Sequence, residues 1–373
     1  MKPGGKPQPW KQEPKAGEWV EVRSKDEILA TLDEKGQLEG MPFMPEMFRF
    51  CGQRFQVYKR AHKTCDTVFP VRGRRVHRAV HLNTRCDGSA HGGCQAGCLI
   101  FWKEAWLKPV DGRADETATR SSSAAASENP TKCTEWDVNQ ATHHLDETGT
   151  PVYSCQATRL PYFTTDLNWW DLRQYFEDYR SGNVGLRRIM AGLVYSLYYN
   201  LSEAGIGMGA PMRWLYDKFA PLWTKTRFPR HSGPIPVGQP TPTGTRNLQP
   251  GDLVRVKPHH EILATLNEES RNRGLRWDAE MVPYCGGTYR VLKRVTKIIN
   301  ERTGKMQEIK NPCIILDSVF CQSRYSACRM FCPRSIYSYW REIWLDKIEE
   351  RPTKVESVAT TARKVAEPMV VEK

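Results

Sequence analysis

Apolar and polar residues alternate most cleanly over Gly251-Asp-Leu-Val-Arg-Val-Lys257, the pattern of a turn leading into a half-buried strand. The following Glu261-Ile-Leu-Ala-Thr-Leu266 spaces its apolar residues as one helical turn does. Residues 294–310 read as a β-hairpin with Gly304 in its turn, and 314–320 and 339–345 as further strands. A different period runs through the middle of the chain. Trp169–Tyr179 has helical spacing, with Thr165 or Asp166 available as N-cap. After a Ser181-Gly182 break, Asn183 is placed to cap a helix over 184–201. Its apolar positions go almost all the way round, which predicts burial between other elements.

The same pattern occurs twice. Residues 17–60 and 251–294 match without a gap at a constant offset of 234, with 18 identities in 44 positions. The identities include EILATL at 27–32 and 261–266, Glu46-Met47 and Glu280-Met281, Cys51-Gly52 and Cys285-Gly286, and Lys59-Arg60 and Lys293-Arg294. Both stretches later converge on Trp102-Lys-Glu-Ala-Trp106-Leu107 and Trp340-Arg-Glu-Ile-Trp344-Leu345. Several short strands with little helix predict a small, partly open barrel in each. The Gly-Asp-x-Val-x-Val opening is similar to SH3-like and KOW-type barrels. The expected fold class is mainly β with a helical insert: two homologous small SH3-like barrel-type domains, stabilised by metal. The expected organisation is a disordered head (1–16), a first Cys-rich β domain (17–108), and a linker holding a Cys/His segment (109–159). A helical insert (160–222), a Pro-rich linker (223–250), a second Cys-rich β domain (251–347) and a disordered tail (348–373) follow.

Composition narrows this picture. Apolar residues at 39% fall below the ~45–50% of compact chains, as flexible ends and linkers would cause, while 12 tryptophans exclude a wholly disordered protein. No apolar run approaches the ~18 residues of a spanning helix, and the N-terminus lacks a secretory apolar core. A cytoplasmic location is therefore expected. In a reducing compartment, 12 cysteines point to metal binding rather than stable disulfides.

Four cysteines correspond between the two stretches: Cys51 with Cys285, Cys86 with Cys321, Cys94 with Cys328, and Cys98 with Cys332. Four thiolates enclose Zn²⁺ tetrahedrally and leave no open position, so two structural zinc sites are the leading expectation. Buried inert thiols, disulfides and an iron–sulfur cluster are compatible with the same residues. His91, inside the first cysteine loop, is able to replace a thiolate there. Cys65 and Cys313 have no counterparts, and Cys133, His143, His144 and Cys155 form a loose further group.

No nucleophile elbow, P-loop, dinucleotide fingerprint or HExxH motif is present, so an enzyme has no positive support. The net charge of +13 raises nucleic-acid binding through basic hairpins, with Arg72, Arg74, Arg75 and Arg78 in one patch and Lys293, Arg294 and Lys297 in another. The ordered set GDLVRV…EILATL…EM…CG…C-x3-C…W-[KR]-E-x-WL resembles a module of uncharacterised bacterial proteins, often duplicated around a short helical insert. That resemblance implies a bacterial cytoplasmic protein and brings no activity or catalytic residue. The expected role is a non-catalytic binding or scaffold protein whose two modules present related surfaces to a protein partner. Nucleic-acid binding and an enzyme or enzyme subunit are the alternatives.

Overall fold

The computed structural model describes residues 13–68, 72–110, 133–203, 207–219, 228–326 and 329–349. The expected disordered tail from 350, the head up to residue 12, much of the first linker and Cys328 lie outside the described residues. The chain is mainly β, with several antiparallel sheets. Thirteen strands build the three sheets that matter here. They are β1 (Trp19–Val22), β2 (Arg54–Arg60), β3 (Lys63–Cys65), β4 (Gly73–Val76), β5 (Ala79–Arg85), β6 (Leu99–Lys103) and β7 (Leu107–Pro109). The rest are β8 (Thr164–Leu167), β9 (Leu253–Val256), β10 (Thr288–Ile299), β11 (Met306–Phe320), β12 (Tyr337–Trp340) and β13 (Leu345–Lys347).

Two five-stranded sheets have the same plan: β6-β5-β2-β1-β7 in the first unit and β12-β11-β10-β9-β13 in the second. Val20 and Val22 of β1, and Val254 and Val256 of β9, point inward and are fully buried, as period-two alternation requires. The helices among the described residues are α1 (Lys25–Leu29), α2 (Glu135–Gln140), α3 (Leu160–Phe163), α4 (Arg173–Arg180), α5 (Leu186–Glu203), α6 (Gly209–Phe219) and α7 (His259–Leu263). Of these, α1 is the helical turn after β1 in the first unit and α7 the one after β9 in the second. Ser24 and Glu27 close a reciprocal cap at the start of α1. The WxExWL stretches are not single strands, as 339–345 was expected to be. Each strand breaks into a 3-10 turn, Glu104–Trp106 or Glu342–Trp344. The turn aims its glutamate at an arginine of the central strand: Glu104 pairs with Arg60 at 2.8 Å, and Glu342 pairs with Arg294. It also buries the second tryptophan, whose indole N–H donates to a threonine of EILATL, Trp106 to Thr31 at 3.1 Å and Trp344 to Thr265 at 2.8 Å. The four repeated tryptophans are fully buried core.

The insert is tied into the first unit. Asp166 does not cap a helix; it lies in β8, which extends the β3-β4 ribbon and brings Asp166 to Arg74 at 2.9 Å. Helix α4 (Arg173–Arg180) starts later than its periodicity predicts. Asn183 is not a cap either. Its side chain accepts from the Arg60 N–H and donates to the Arg60 C=O, both at 2.8 Å, imitating a strand partner. Asp178 of α4 is fully buried, with Lys63 Nζ at 2.6 Å and His62 Nε2 at 3.3 Å. Helix α5 (Leu186–Glu203) is not buried all round. Ile189 faces the core, whereas Leu186, Met190, Val194, Leu197 and Leu201 form a stripe 45–64% exposed. Among the described residues, no helix is long and apolar enough to cross a membrane.

The two units meet directly. Arg85 donates to the Ser335 carbonyl at 2.9 Å and stacks on Tyr337, its guanidinium 3.8 Å from the ring centre. Gln95 Oε1 accepts from the Thr296 N–H at 2.6 Å, and Lys297 Nζ donates to the Gly92 carbonyl at 2.9 Å.

His81 on β5 carries an expected pH dependence. The ring is fully buried against Phe101 and donates from Nδ1 to the Ile100 carbonyl at 2.8 Å, and burial holds its pKa down to about 3. Below about 6.5 the unfolded chain takes a proton that the folded chain refuses, so stability falls as pH drops from 6.5 towards 3, by up to about 1.4 kcal/mol per unit. Urea midpoints measured across that window should show a steeper acid limb for the native chain than for His81→Phe. Parallel limbs would exclude the effect.

Candidate metal centre

The loop between β5 and β6 holds Cys86, His91, Cys94 and Cys98. Its backbone closes on itself, with Cys86 N–H donating to the Cys98 carbonyl and both the His91 and Gly93 N–H groups donating to the Gly88 carbonyl. Gly88 has φ +76°, and a Cβ there would lie 2.0 Å from the Cys94 carbonyl oxygen, so only glycine permits this closure. The loop brings Cys86 and His91 to Glu46, which sits on the 3-10 turn Pro45–Phe50. Cys86 Sγ donates to Glu46 Oε1 at 2.9 Å, and His91 Nδ1 lies 3.3 Å from the same oxygen.

Two polar atoms in this cluster have no partner. His91 Nδ1 and Glu46 Oε2 are buried without a hydrogen bond. The other ring nitrogen, Nε2, lies 3.2 Å from the Ser154 carbonyl. A carbonyl only accepts, so this contact places a ring proton on Nε2 and turns Nδ1 towards the Glu46 carboxylate. Nδ1 and the carboxylate converge as two ligand atoms do around a cation, and a second hydrogen bond of this kind is what orients ligating histidines. Among the described residues, these three are the one group of three or more His, Cys, Asp or Glu whose ligand atoms all lie within 4.8 Å of one another.

Burial raises the Glu46 carboxyl, but the contacts with His91 and Cys86 outweigh it and hold it below its ordinary value. Burial and the adjacent Glu46 charge push the Cys86 thiol far up. A small cavity of about 40 Å³ adjoins the cluster, walled by Cys86, His91, Cys94, Cys98 and Cys155. Burial pushes Cys98 up to about 12 and Cys155 up to about 11.

Among the described residues, which exclude Cys328, the cysteines expected as two four-thiolate sites do not come together as such. Cys51 packs against the first core near Lys25 and Glu135 and is not part of the Glu46–Cys86–His91 group. Cys285 packs against the second core, and Cys321 Sγ contacts Ser323. The spacing CxxxC also misled the alignment of the loops. Cys321 N–H donates to the Ile336 carbonyl as Cys86 does to Cys98, and Cys332 N–H donates to Arg329 as Cys94 does to His91. Structurally, Cys94 therefore corresponds to Cys332, Cys98 to Ile336, and His91 to Arg329. A guanidinium, never a metal ligand, stands where the imidazole stands in the first loop. Glu280, the counterpart of Glu46, is raised by burial and accepts from the Tyr325 N–H at 2.5 Å.

Sequence reasoning missed one residue of the centre, Glu46, and did not join Cys155 to the cavity beside it. Glu46 was visible as part of the repeated Glu-Met pair, and Cys155 was grouped with Cys133 and two histidines. Cys133 is instead buried in the first core, and His143 and His144 lie exposed on a two-stranded ribbon. His259 is half-buried, with Nε2 2.8 Å from the Arg230 carbonyl.

The basic patches are largely spent on ion pairs. Arg74 binds Asp166 and Asp66, Arg75 binds Glu177 at 2.8 Å, and Arg72 lies 3.9 Å from Asp166. Arg294 pairs with Glu342 and Lys297 with Gly92, whereas Arg78 is exposed and Lys293 is half-buried on β10. No family model, curated protein or solved structure matches the chain.

Proposed function

We propose that the chain is a non-catalytic binding protein built from two related SH3-like units, the first anchored by a single bound cation. The supporting observation is the buried, unpartnered pair of His91 Nδ1 and Glu46 Oε2 beside the Cys86 thiol. Oxygen, nitrogen and sulfur donors together suit a borderline ion, and Zn²⁺ is the natural choice. Glu46, Cys86 and His91 would hold it, with the cavity thiols beside them. The ion would supply structural stability to a glycine-rich loop that has little core of its own. Cobalt substitution tests this: a sulfur-to-cobalt charge-transfer band should appear in the native protein and vanish in Cys86→Ser. Its persistence in that variant would remove the centre.

The surface for a protein partner is the apolar stripe of α5, which is larger than scattered surface residues explain. Its spacing is that of one helix face, the form in which amphipathic helices engage apolar grooves. A folded Met190→Glu/Leu197→Glu variant should lose the partner recovered with the native chain from cells. An unchanged set of recovered proteins would contradict this surface.

A second reading, binding of a polyanion such as nucleic acid, is favoured by one feature. A groove of about 780 Å³ between α4 and the first unit is lined by Lys15, Arg60, Arg75, Arg78, Arg173 and Arg180, with Glu13 and Glu177 among them, so its basic excess is carried by Lys15, Arg78 and Arg180. This reading requires affinity that falls steeply with salt. Salt-independent or absent binding of RNA and DNA removes it.

A further inference from the structure

Cys65 has no cysteine counterpart in the second unit, and the metal centre does not use it. It ends β3 at the junction of the two units, where its backbone N–H donates to Cys332 Sγ at 3.1 Å and so sets the two cysteines side by side. The reciprocal contact exists on the other side of the junction: the Ile299 N–H donates to Cys94 Sγ at 3.4 Å. Ile299 stands at the offset of 234 from Cys65. The junction therefore uses one kind of contact twice, and only one of the two brings a pair of sulfurs together. Packing alone is satisfied by isoleucine at this position, so a second thiol facing Cys332 is a feature the contact itself does not need.

The surroundings favour sulfur chemistry. Arg334, 2% exposed, pairs with Glu301 at 3.2 Å and also donates to the Cys65 carbonyl at 3.5 Å and to Thr67 Oγ1 at 3.2 Å. Lys63 Nζ, paired with Asp178 at 2.6 Å, lies 5.7 Å from the centre of the ring of Phe331, the residue before Cys332. Cationic groups around a thiol favour the thiolate, which is the nucleophile in disulfide formation. The two cysteines are otherwise enclosed, so a small oxidant suits them better than a protein one.

We propose that Cys65 and Cys332 are a redox-responsive dithiol, oxidised by hydrogen peroxide to a disulfide that ties the two units together. The Cys332 thiolate attacks one peroxide oxygen; the O–O bond breaks, leaving Cys332 as a sulfenic acid and releasing hydroxide. Hydroxide takes the Cys65 proton and becomes water. The Cys65 thiolate then attacks the Cys332 sulfur, the S–S bond forms, the S–O bond breaks and a second hydroxide leaves. The two sulfurs together lose two electrons, and the peroxide is reduced by two.

The test uses the full chain, treated with hydrogen peroxide, quenched in acid, alkylated with N-ethylmaleimide under denaturing conditions and digested with trypsin. A cross-linked species joining the peptides Thr64–Arg72 and Met330–Arg334 is expected, and it should disappear on reduction. It should be lost in Cys65→Ser and in Cys332→Ser and kept in Cys94→Ser. It should also be kept in Cys86→Ser, which separates this pair from the metal centre. Recovery of both cysteines as maleimide adducts after peroxide treatment would overturn the proposal, as would cross-links from either to a different cysteine.

Discussion

Asp178→Ala should destabilise the folded chain by about 3–5 kcal/mol, among the largest single-residue losses expected here. Asp178 is fully buried in α4, and its carboxylate faces Lys63 Nζ at 2.6 Å and His62 Nε2 at 3.3 Å. Burial lowers the Lys63 pKa, and the Asp178 carboxylate is the strongest influence opposing it. Removing the carboxylate leaves an ammonium enclosed by Tyr175 and Phe331 with Gln174 as its remaining polar neighbour. Because Lys63 belongs to β3 and Asp178 to the insert, the loss should appear as release of the insert from the first unit. Protease sensitivity of α4 and the urea midpoint read it together. Lys63→Met combined with Asp178→Leu should recover most of the loss, since replacing a buried pair with apolar side chains is often neutral. A single variant as stable as the native chain would show that the pair carries no net role in docking.

Trp344→Ala should cost about 3–5 kcal/mol through the cavity it leaves in the second core. Trp344 is fully buried, meets Trp277 edge-on at 5.3 Å and donates to Thr265. The first unit places Phe43 against Trp106 in the same way, at 5.2 Å. Trp106→Ala should therefore cost a similar amount, and Thr31→Val much less, near the ~1 kcal/mol of one hydrogen bond. Thermal unfolding of the three variants checks the ranking. A Trp344→Ala variant with unchanged stability would contradict the core assignment.

Much of the fold was legible because it is repeated. Two valines at period two in β1 and again in β9, the EILATL turn, and paired tryptophans reported the same core twice. The turn at Gly304 was legible from its hairpin pattern. The insert was harder. Thr165 and Asp166 are good cap residues by local chemistry, yet a free edge at β4 recruits them as a strand, a long-range demand that no local window contains. Asn183 was read as a cap for the same reason, while its amide serves the backbone of Arg60. The stripe on α5 was hidden by tyrosines and small residues that made the helix look apolar all round.

The candidate centre was half legible. Cysteines are conspicuous, so Cys86 was found, and His91 was noticed inside the same loop. Glu46 was passed over because a glutamate in a repeated turn looks like surface. The loops differ in length, so matching cysteines by CxxxC spacing paired Cys98 with Cys332 and hid the exchange of His91 for Arg329.

That exchange makes the central claim countable. Elemental analysis of protein purified under reducing conditions should find one zinc per chain, not two. The ion should be lost in folded Cys86→Ser and His91→Ala variants and retained in Cys285→Ser and Cys321→Ser. Metal-free protein that folds normally, or two ions per chain with one lost in Cys285→Ser, would contradict the account.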